Sequence, residues 1–382
     1  MSRPSYVRIF ARISRVRSWA VASSIVALAS GCQEELPEIG AQIYQGDDFE
    51  VWASDGLVAC GGTHAYTEGW LAAFRRRLGA EARPTYHRFF WLSPEDIDRT
   101  PCSLGTGACA FTSRTPKSIY TPLIPHEHEI VHVELAHLVG PPLLTEGAAE
   151  MFGTSRVGPN ELNSYPVGEL LDGDRITGLG YPSAGRFSRF LVDTYGMDTY
   201  FDLLREAEPK ETERGLRDAF DDALGIPVDD VIAEYETFPA CDSPRWRYHD
   251  YECEDLPAHP WSTATRWQES IALDCAENDV IGPRPDDFYP SSVDMIWVLR
   301  AIDVETPGLH LLLLESSEPA TAYLEPCVGG CFDGGPAAAG LFASVEIPPF
   351  IADLAVGRYW LRVLHPAASR AEVTVTLDRL EG

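Results

Sequence analysis

Positive charge is scarce in this chain. Its 382 residues hold 30 Lys and Arg against 58 Asp and Glu, a formal net charge of −28. A surface this acidic repels phosphate backbones and argues against nucleic acid as a partner. Beyond the N-terminal segment, no apolar run is long enough to span a bilayer. No CxxC pair exists, which argues against a cysteine-based zinc site. No internal repeat is found, so a repeat architecture is not expected. What is present is ordinary for globular protein: 45% hydrophobic and 23% charged residues. The length suits two domains, each with a sizeable core.

The first 31 residues differ in kind from the rest. Arg3, Arg8, Arg12, Arg15 and Arg17 form a basic region with no acid, and removing it takes the net charge to −33. Trp19 to Leu28 is an apolar stretch too short to remain as a spanning helix. Leu28-Ala29-Ser30-Gly31-Cys32 follows and resembles the bacterial lipobox, although Ala29 stands where Leu is commoner. The resemblance implies a signal peptide over 1–31, a lipid on Cys32 and membrane association of an exported protein. Gln33 after the Cys, rather than Asp, is compatible with outer-membrane sorting. Eight further cysteines, Cys60, Cys102, Cys109, Cys241, Cys253, Cys275, Cys327 and Cys331, are an even set in an exported chain and argue for up to four disulfides. Short loops favour Cys102–Cys109, Cys241–Cys253 and Cys327–Cys331, leaving Cys60 for Cys275.

Residues 32–45 read as a polar tether. A first strand is expected at Phe49–Trp52, a helix over Thr63–Leu78 stopped by Gly79, and a strand over Tyr86–Leu92. Arg75, Arg76 and Arg77 are expected in the solvated last turn of that helix. Ala110–Tyr120 reads as a further strand. A helix is expected from Pro125 to about Val139, stopped by Gly140-Pro141-Pro142, and a second from about Leu144 to Phe152. Phe187, Phe190, Leu191 and Thr194 share the face of a third helix, ended by Gly196. Helical patterns continue through Tyr200–Glu206, Glu213–Leu224 and Val228–Phe238. Residues 241–262 are rich in Pro, Tyr and Asp and read as a Cys-containing connector. From 263 to 382 short strands between Gly/Pro turns suggest an all-β sandwich-like domain, with candidates at 293–304, 309–314, 341–347, 359–364 and 373–377.

His128-Glu129-Ile130-Val131-His132 carries the chemistry. Two His four residues apart on a helix point the same way, so both imidazoles can reach one Zn²⁺. Glu129 between them sits beside the metal as a general base. A zinc hydrolase needs a third protein ligand and one open position. His126 and His137 leave the helix face, and position 138 is Leu, so a third His after HExxH is not offered. Glu146 remains, because the Gly140-Pro141-Pro142 turn folds its helix back toward the two His.

These motifs resemble the gluzincin zinc metallopeptidases. Leu143-Leu144-Thr145-Glu146-Gly147-Ala148-Ala149-Glu150 is similar to the WLxEGxAE segment of their MA-like group, with Leu143 in place of Trp. The resemblance implies that Glu146 completes the site of one zinc per chain and that Glu150 stands behind it. Tyr181-Pro182-Ser183-Ala184-Gly185 through Tyr195-Gly196 resembles a later family helix, and implies that Tyr181 donates a hydrogen bond to the tetrahedral oxyanion. The likeness covers about 46–240 and implies an α+β zincin-like peptidase domain there: a small mixed sheet, active-site helices and a helical subdomain. Over the C-terminal region only Gly357–Val363 shows a faint likeness, to sandwich modules of secreted peptidases. The expected function is peptide-bond hydrolysis on a peptide or protein substrate. The aminopeptidase GxMEN segment is not seen, which favours an endopeptidase. The alternative is a non-catalytic surface lipoprotein with a structural or vestigial zinc site and a binding β-domain; an intact Glu129 argues against it.

Overall fold

The first strand of the computed structural model, β1 (Ala41–Gln45), lies inside the segment expected to be a polar tether. It pairs antiparallel with β2 (Phe49–Ala53) as an exposed edge strand, so the alternation that betrays a half-buried strand is missing from it. The structure describes residues 40–100, 102, 108–113, 115–138, 140–153, 165–171, 180–207, 213–238, 243–285, 294–327, 331–332, 340–346 and 349–380. The expected signal peptide, Cys32 and Cys241 lie outside these.

After β2 come α1 (Thr63–Leu78), β3 (His87–Trp91), α2 (Pro94–Ile97), β4 (Cys109–Phe111) and β5 (Lys117–Thr121). The sheet order is β1-β2-β3-β5-β4, with β2, β3 and β5 parallel and both edge strands antiparallel. The single strand expected over Ala110–Tyr120 is therefore two. α1 buries Tyr66, Trp70, Leu71, Phe74 and Leu78 on one stripe and ends where Gly79 takes a positive φ of 57°. Its three terminal arginines are not simply solvated. Successive helical residues point about 100° apart, so each meets a different partner: Arg75 Glu134, Arg76 Asp255 and Arg77 Asp250.

The helical region follows: α3 (Glu127–Glu134), α4 (Pro142–Phe152), α5 (Gly180–Tyr195), α6 (Met197–Glu206), α7 (Glu213–Leu224), α8 (Val228–Tyr235) and α9 (Ser243–Trp246). α3 is shorter at both ends than expected. It starts two residues after Pro125 and gives way to a turn at Leu135. Lys117 Nζ donates to the carbonyl of Val133 at 2.7 Å and so caps the end of the short helix, while Arg75 holds the Glu134 side chain with two bonds of 2.9–3.0 Å. The connector residues 251–255 form a π-helical turn.

The remainder is all β: β6 (Arg266–Leu273), β7 (Ile281–Pro285), β8 (Asp294–Val304), β9 (Gly308–Glu315), β10 (Thr321–Pro326), β11 (Leu341–Ser344), β12 (Ile351–Leu354), β13 (Gly357–Pro366) and β14 (Ala371–Arg379). They make two sheets, β11-β10-β13-β8-β7 and β12-β9-β14-β6. Val298, Ile302, Leu361 and Val363 of the first face Ile271, Leu312, Val373 and Val375 of the second across one core. The alternate residues of β8 and β13 (Met295, Trp297, Leu299, Trp360, Leu364) join the core of the helical region instead. Both faces of β8 are thus buried, which explains its continuous apolar run. Residues 38–382 are one compact unit.

Disulfides reinforce this. Cys102–Cys109 and Cys60–Cys275 pair as expected. Cys253 pairs with Cys327, however, so the expected Cys241–Cys253 and Cys327–Cys331 bridges do not form. Cys331 is disulfide-bonded in another way. Short loop length is a weak guide where packing has brought a distant segment alongside. Among the described residues no helix is long and apolar enough to cross a membrane.

Candidate metal centre

Three elements build the site. α3 presents His128, Glu129 and His132, α4 presents Glu146 and Glu150, and α5 opens with Tyr181. α4 folds back on α3 through Gly140-Pro141-Pro142, as the sequence leads one to expect. Gly147 permits its close approach to α5: a Cβ there would come within 2.7 Å of the Ala184 carbonyl oxygen. Gly153, just past α4, lies against the start of α3, where a Cβ would come within 2.7 Å of the His128 nitrogen.

The geometry brings three donor atoms to one place. His128 Nε2 and His132 Nε2 are 3.2 Å apart, and Glu146 Oε2 is 3.1 Å from the first and 3.2 Å from the second. Together they form a group that could hold a metal ion. In a tetrahedral zinc site with bonds of about 2.0–2.2 Å, neighbouring ligand atoms lie about 3.3–3.6 Å apart. The observed triangle is a few tenths of an ångström tighter, and its two imidazoles and one carboxylate are donors that zinc accepts. His126 and His137, expected to point away, are not in the group. His126 Nδ1 instead bonds Thr121 Oγ1 at 2.7 Å.

A second layer holds His128 in orientation. Its Nδ1 is 3.0 Å from Glu150 Oε1, so Nδ1 carries the hydrogen and Nε2 can offer its lone pair toward Glu146 and His132. Glu150 is itself held by Arg247, whose Nη2 donates to Oε2 at 2.5 Å and whose Nε donates to the Glu150 carbonyl at 3.1 Å. Arg247 follows α9 in the connector. Its side chain and that of Glu150 are 6% and 4% exposed, so the pair is shielded from solvent. Burial opposes ionisation of Glu150, but Arg247 and His128 outweigh it and hold the carboxyl at about 2. Burial likewise disfavours charge on His128 and Glu146, but the Glu146 and Glu150 carboxylates outweigh it and push His128 up to about 10, while His132 and His128 hold Glu146 well below the ordinary carboxylate range; a cation held at His128 Nε2 would therefore take the place of a proton there.

Glu129 is buried, and burial raises its carboxyl above the usual range. A raised pKa suits a group that must accept a proton and give it back. Tyr181 is half-buried, its ring 5.8 Å from that of His128 and edge-on to it. Burial and then the Glu146, Glu129 and Glu150 carboxylates push its phenol up to about 12, so it keeps its hydrogen at neutral pH. Glu129, Tyr181 and the three donors line one cleft of about 420 Å³. Its walls include Ala110 on β4, and Leu135, Leu138 and Leu204.

One buried anchor comes from outside the helical region. Arg284 on β7 donates to Glu127 Oε2 at 2.9 Å and to the Pro125 carbonyl at 3.1 Å, tying the start of α3 to the two-sheet region. Tyr66 on α1 donates to the same carboxylate at 3.0 Å. Sequence reading missed both Arg247 and Arg284. Neither sits in a motif, and no local pattern marks an arginine whose partner lies 97 or 157 residues away.

No protein-family model matches the chain, and a search of curated proteins finds no significant match.

Proposed function

We propose that this chain is a gluzincin-type zinc peptidase, exported and held at the outer membrane by a lipid on Cys32, that cleaves peptide bonds within a chain. The observation that carries the reading is the triangle of His128, His132 and Glu146 donor atoms with Glu129 and Tyr181 on the same cleft. His128, His132 and Glu146 would hold the ion. Zinc, when bound, supplies Lewis acidity toward a carbonyl oxygen and lowers the pKa of a water to about 7.

The protein's own groups do the rest. Glu129 takes a proton from the attacking water and passes it to the leaving amine. The Tyr181 phenol donates to the carbonyl oxygen as it gains charge. Glu150 and Arg247 keep His128 in one tautomer and one orientation. β4 is an edge strand on the cleft wall, paired on one side with β5. Its open side can bond the backbone of an extended peptide, which recognises peptides without requiring a free terminus.

The test is hydrolysis of a peptide library that includes N-terminally blocked members, with zinc content measured on every sample. Glu129→Gln should keep the metal and lose at least about 10²–10³ in kcat, and Tyr181→Phe should lower kcat more than it raises KM. A zinc-loaded wild type without activity, or an active Glu129→Gln, would overturn the reading. Mass spectrometry of the mature N-terminus tests the anchor, and an unmodified Cys32 sinks that part.

A further inference from the structure

One wall of the cleft at the candidate metal centre is a strand rather than a helix. Ala108, Cys109, Ala110 and Thr112, in and around β4, line it. The ladder that holds this strand is short. β4 has three residues, where strands usually have about five or six. It pairs with β5 through Cys109 and Tyr120, Ala110 and Ile119, and Phe111 and Ser118, and its other side is the open edge of the sheet. Ala108, Cys109, Ala110 and Phe111 are half-buried and Thr112 is exposed, so the strand is only lightly packed upon. The Phe111 ring meets Tyr120 edge-on at 5.7 Å. An edge strand with so few backbone bonds and so little buried surface opens locally at low cost.

A covalent tie offsets that weakness. Cys109, the first residue of β4, is bridged to Cys102, with the two Cα atoms 5.6 Å apart. Cys102 is a fixed post: it is buried, its backbone N donates to Thr100 Oγ1 at 3.2 Å, and that hydroxyl donates to the Ile97 carbonyl at 2.7 Å. Ile97 ends α2, whose first turn is capped by Ser93 accepting from Asp96 N at 3.2 Å. Asp96 in turn accepts from Ser54 Oγ at 2.6 Å, just beyond β2. A continuous run of bonds thus leads from the central sheet through α2 and Cys102 to the head of β4. None of these residues is a candidate metal ligand, and none is Glu129 or Tyr181.

We infer that Cys102 and Cys109 are positioning residues for the substrate: their disulfide fixes β4 and so sets the affinity of the cleft for an extended peptide, without acting on the metal or on the groups that move protons. The inference rests on the peptidase reading of the cleft. A peptide added to a sheet edge is held by several directional backbone bonds at once. Those bonds form well only if the receiving strand is already in place, and a strand ordered in advance spares the complex that ordering cost. A misplacement of about 1 Å can cost about 10²-fold. Holding β4 acts on bound substrate and transition state alike, so its loss falls on KM rather than on kcat.

The experiment compares the zinc-loaded full mature chain with its Cys102→Ser/Cys109→Ser variant. Three quantities are read: KM and kcat on an N-terminally blocked peptide, calorimetric affinity for the same peptide with its scissile bond replaced by a reduced amide, and zinc affinity by chelator competition. KM should rise and reduced-amide affinity fall by about 10–100-fold, with kcat kept within about threefold and zinc affinity within about twofold. Thr100→Val keeps the bridge and removes the bond that seats Cys102, so it should shift KM and reduced-amide affinity in the same direction by less. It decides the question if the double variant fails to fold. A wild type that binds the reduced amide but cleaves nothing would sink the peptidase reading, and the affinity difference between wild type and variant would still support this inference. Unchanged affinity in the variants, a loss confined to kcat or to zinc binding, or a wild type that binds no peptide overturns it.

Discussion

Arg247→Met tests whether a residue from the connector governs the candidate metal centre. The arginine makes two hydrogen bonds to Glu150, one to the carboxylate and one to the carbonyl, with both side chains more than nine-tenths buried. Methionine keeps much of the stem's volume and removes the charge. The Glu150 carboxylate is then left with His128 alone. Breaking one partner of a buried ion pair costs about 3–5 kcal/mol, chiefly through the uncompensated charge that remains. That loss should appear in urea unfolding of the metal-free protein. The functional effect is separate: with Glu150 less firmly placed, His128 loses its fixed orientation, and zinc affinity should fall about 10–100-fold, or about 1.4–2.7 kcal/mol. Competition with a chromophoric chelator measures it. Arg247→Lys keeps the charge but cannot reach the carboxylate and the carbonyl with a planar fork, so it should recover only part of both losses. The double variant Arg247→Met/Glu150→Gln removes the buried charge and should regain stability but not zinc affinity. Arg247 also stacks 4.8 Å from the Trp246 ring. Loss of that packing alone would lower stability without changing zinc affinity. A zinc affinity within twofold of wild type refutes the reasoning.

Three further outcomes follow from the same geometry. Gly153→Ala should destabilise by about 1–3 kcal/mol and weaken zinc binding, because its Cβ would press on the backbone that places His128; a neutral effect in thermal melts would count against the close packing of α4 on α3. Arg284→Met should cost about 3–5 kcal/mol by stranding buried Glu127, whereas adding Glu127→Gln should return part of it; a double-variant cycle with no coupling would contradict the pairing. Burial, with Glu127 adding to it, pushes the Glu252 carboxyl from 4.5 up to about 7. The folded state therefore holds a proton that the unfolded state releases, so this group's contribution is full below pH 4.5 and is lost as pH rises toward 7, about 3 kcal/mol in all. Glu252→Gln should flatten that part of the urea-stability profile and be the more stable protein above pH 7; parallel profiles for variant and wild type would refute the assignment.

Much of the candidate metal centre was legible because its information is local. His128 and His132 are one helical turn apart, so their direction is set by helix geometry alone. Glu146 needed only a breaker at Gly140-Pro141-Pro142 and a short second helix. The helix limits Thr63–Leu78 and Glu213–Leu224 came out as expected, since their apolar stripes are uninterrupted. Strands were harder. β6, β7, β10 and β12 were not anticipated, and β1 was taken for a tether. These strands are short, sit at or near sheet edges, or lie in charged and Pro-containing segments, where alternation is weak.

By itself, then, the sequence determined which residues could form a metal site, the helices that carry them and the β character of the C-terminal part. These follow from spacing along one segment, where bond geometry fixes side-chain direction. Only the tertiary structure decided what stands behind and beside them. Arg247 meets Glu150 across 97 residues and Arg284 meets Glu127 across 157. Cys253 finds Cys327. Such contacts arise because β8 and β13 bury both faces, drawing the sheets against the helices, and no local pattern specifies which distant side chain the packing will deliver.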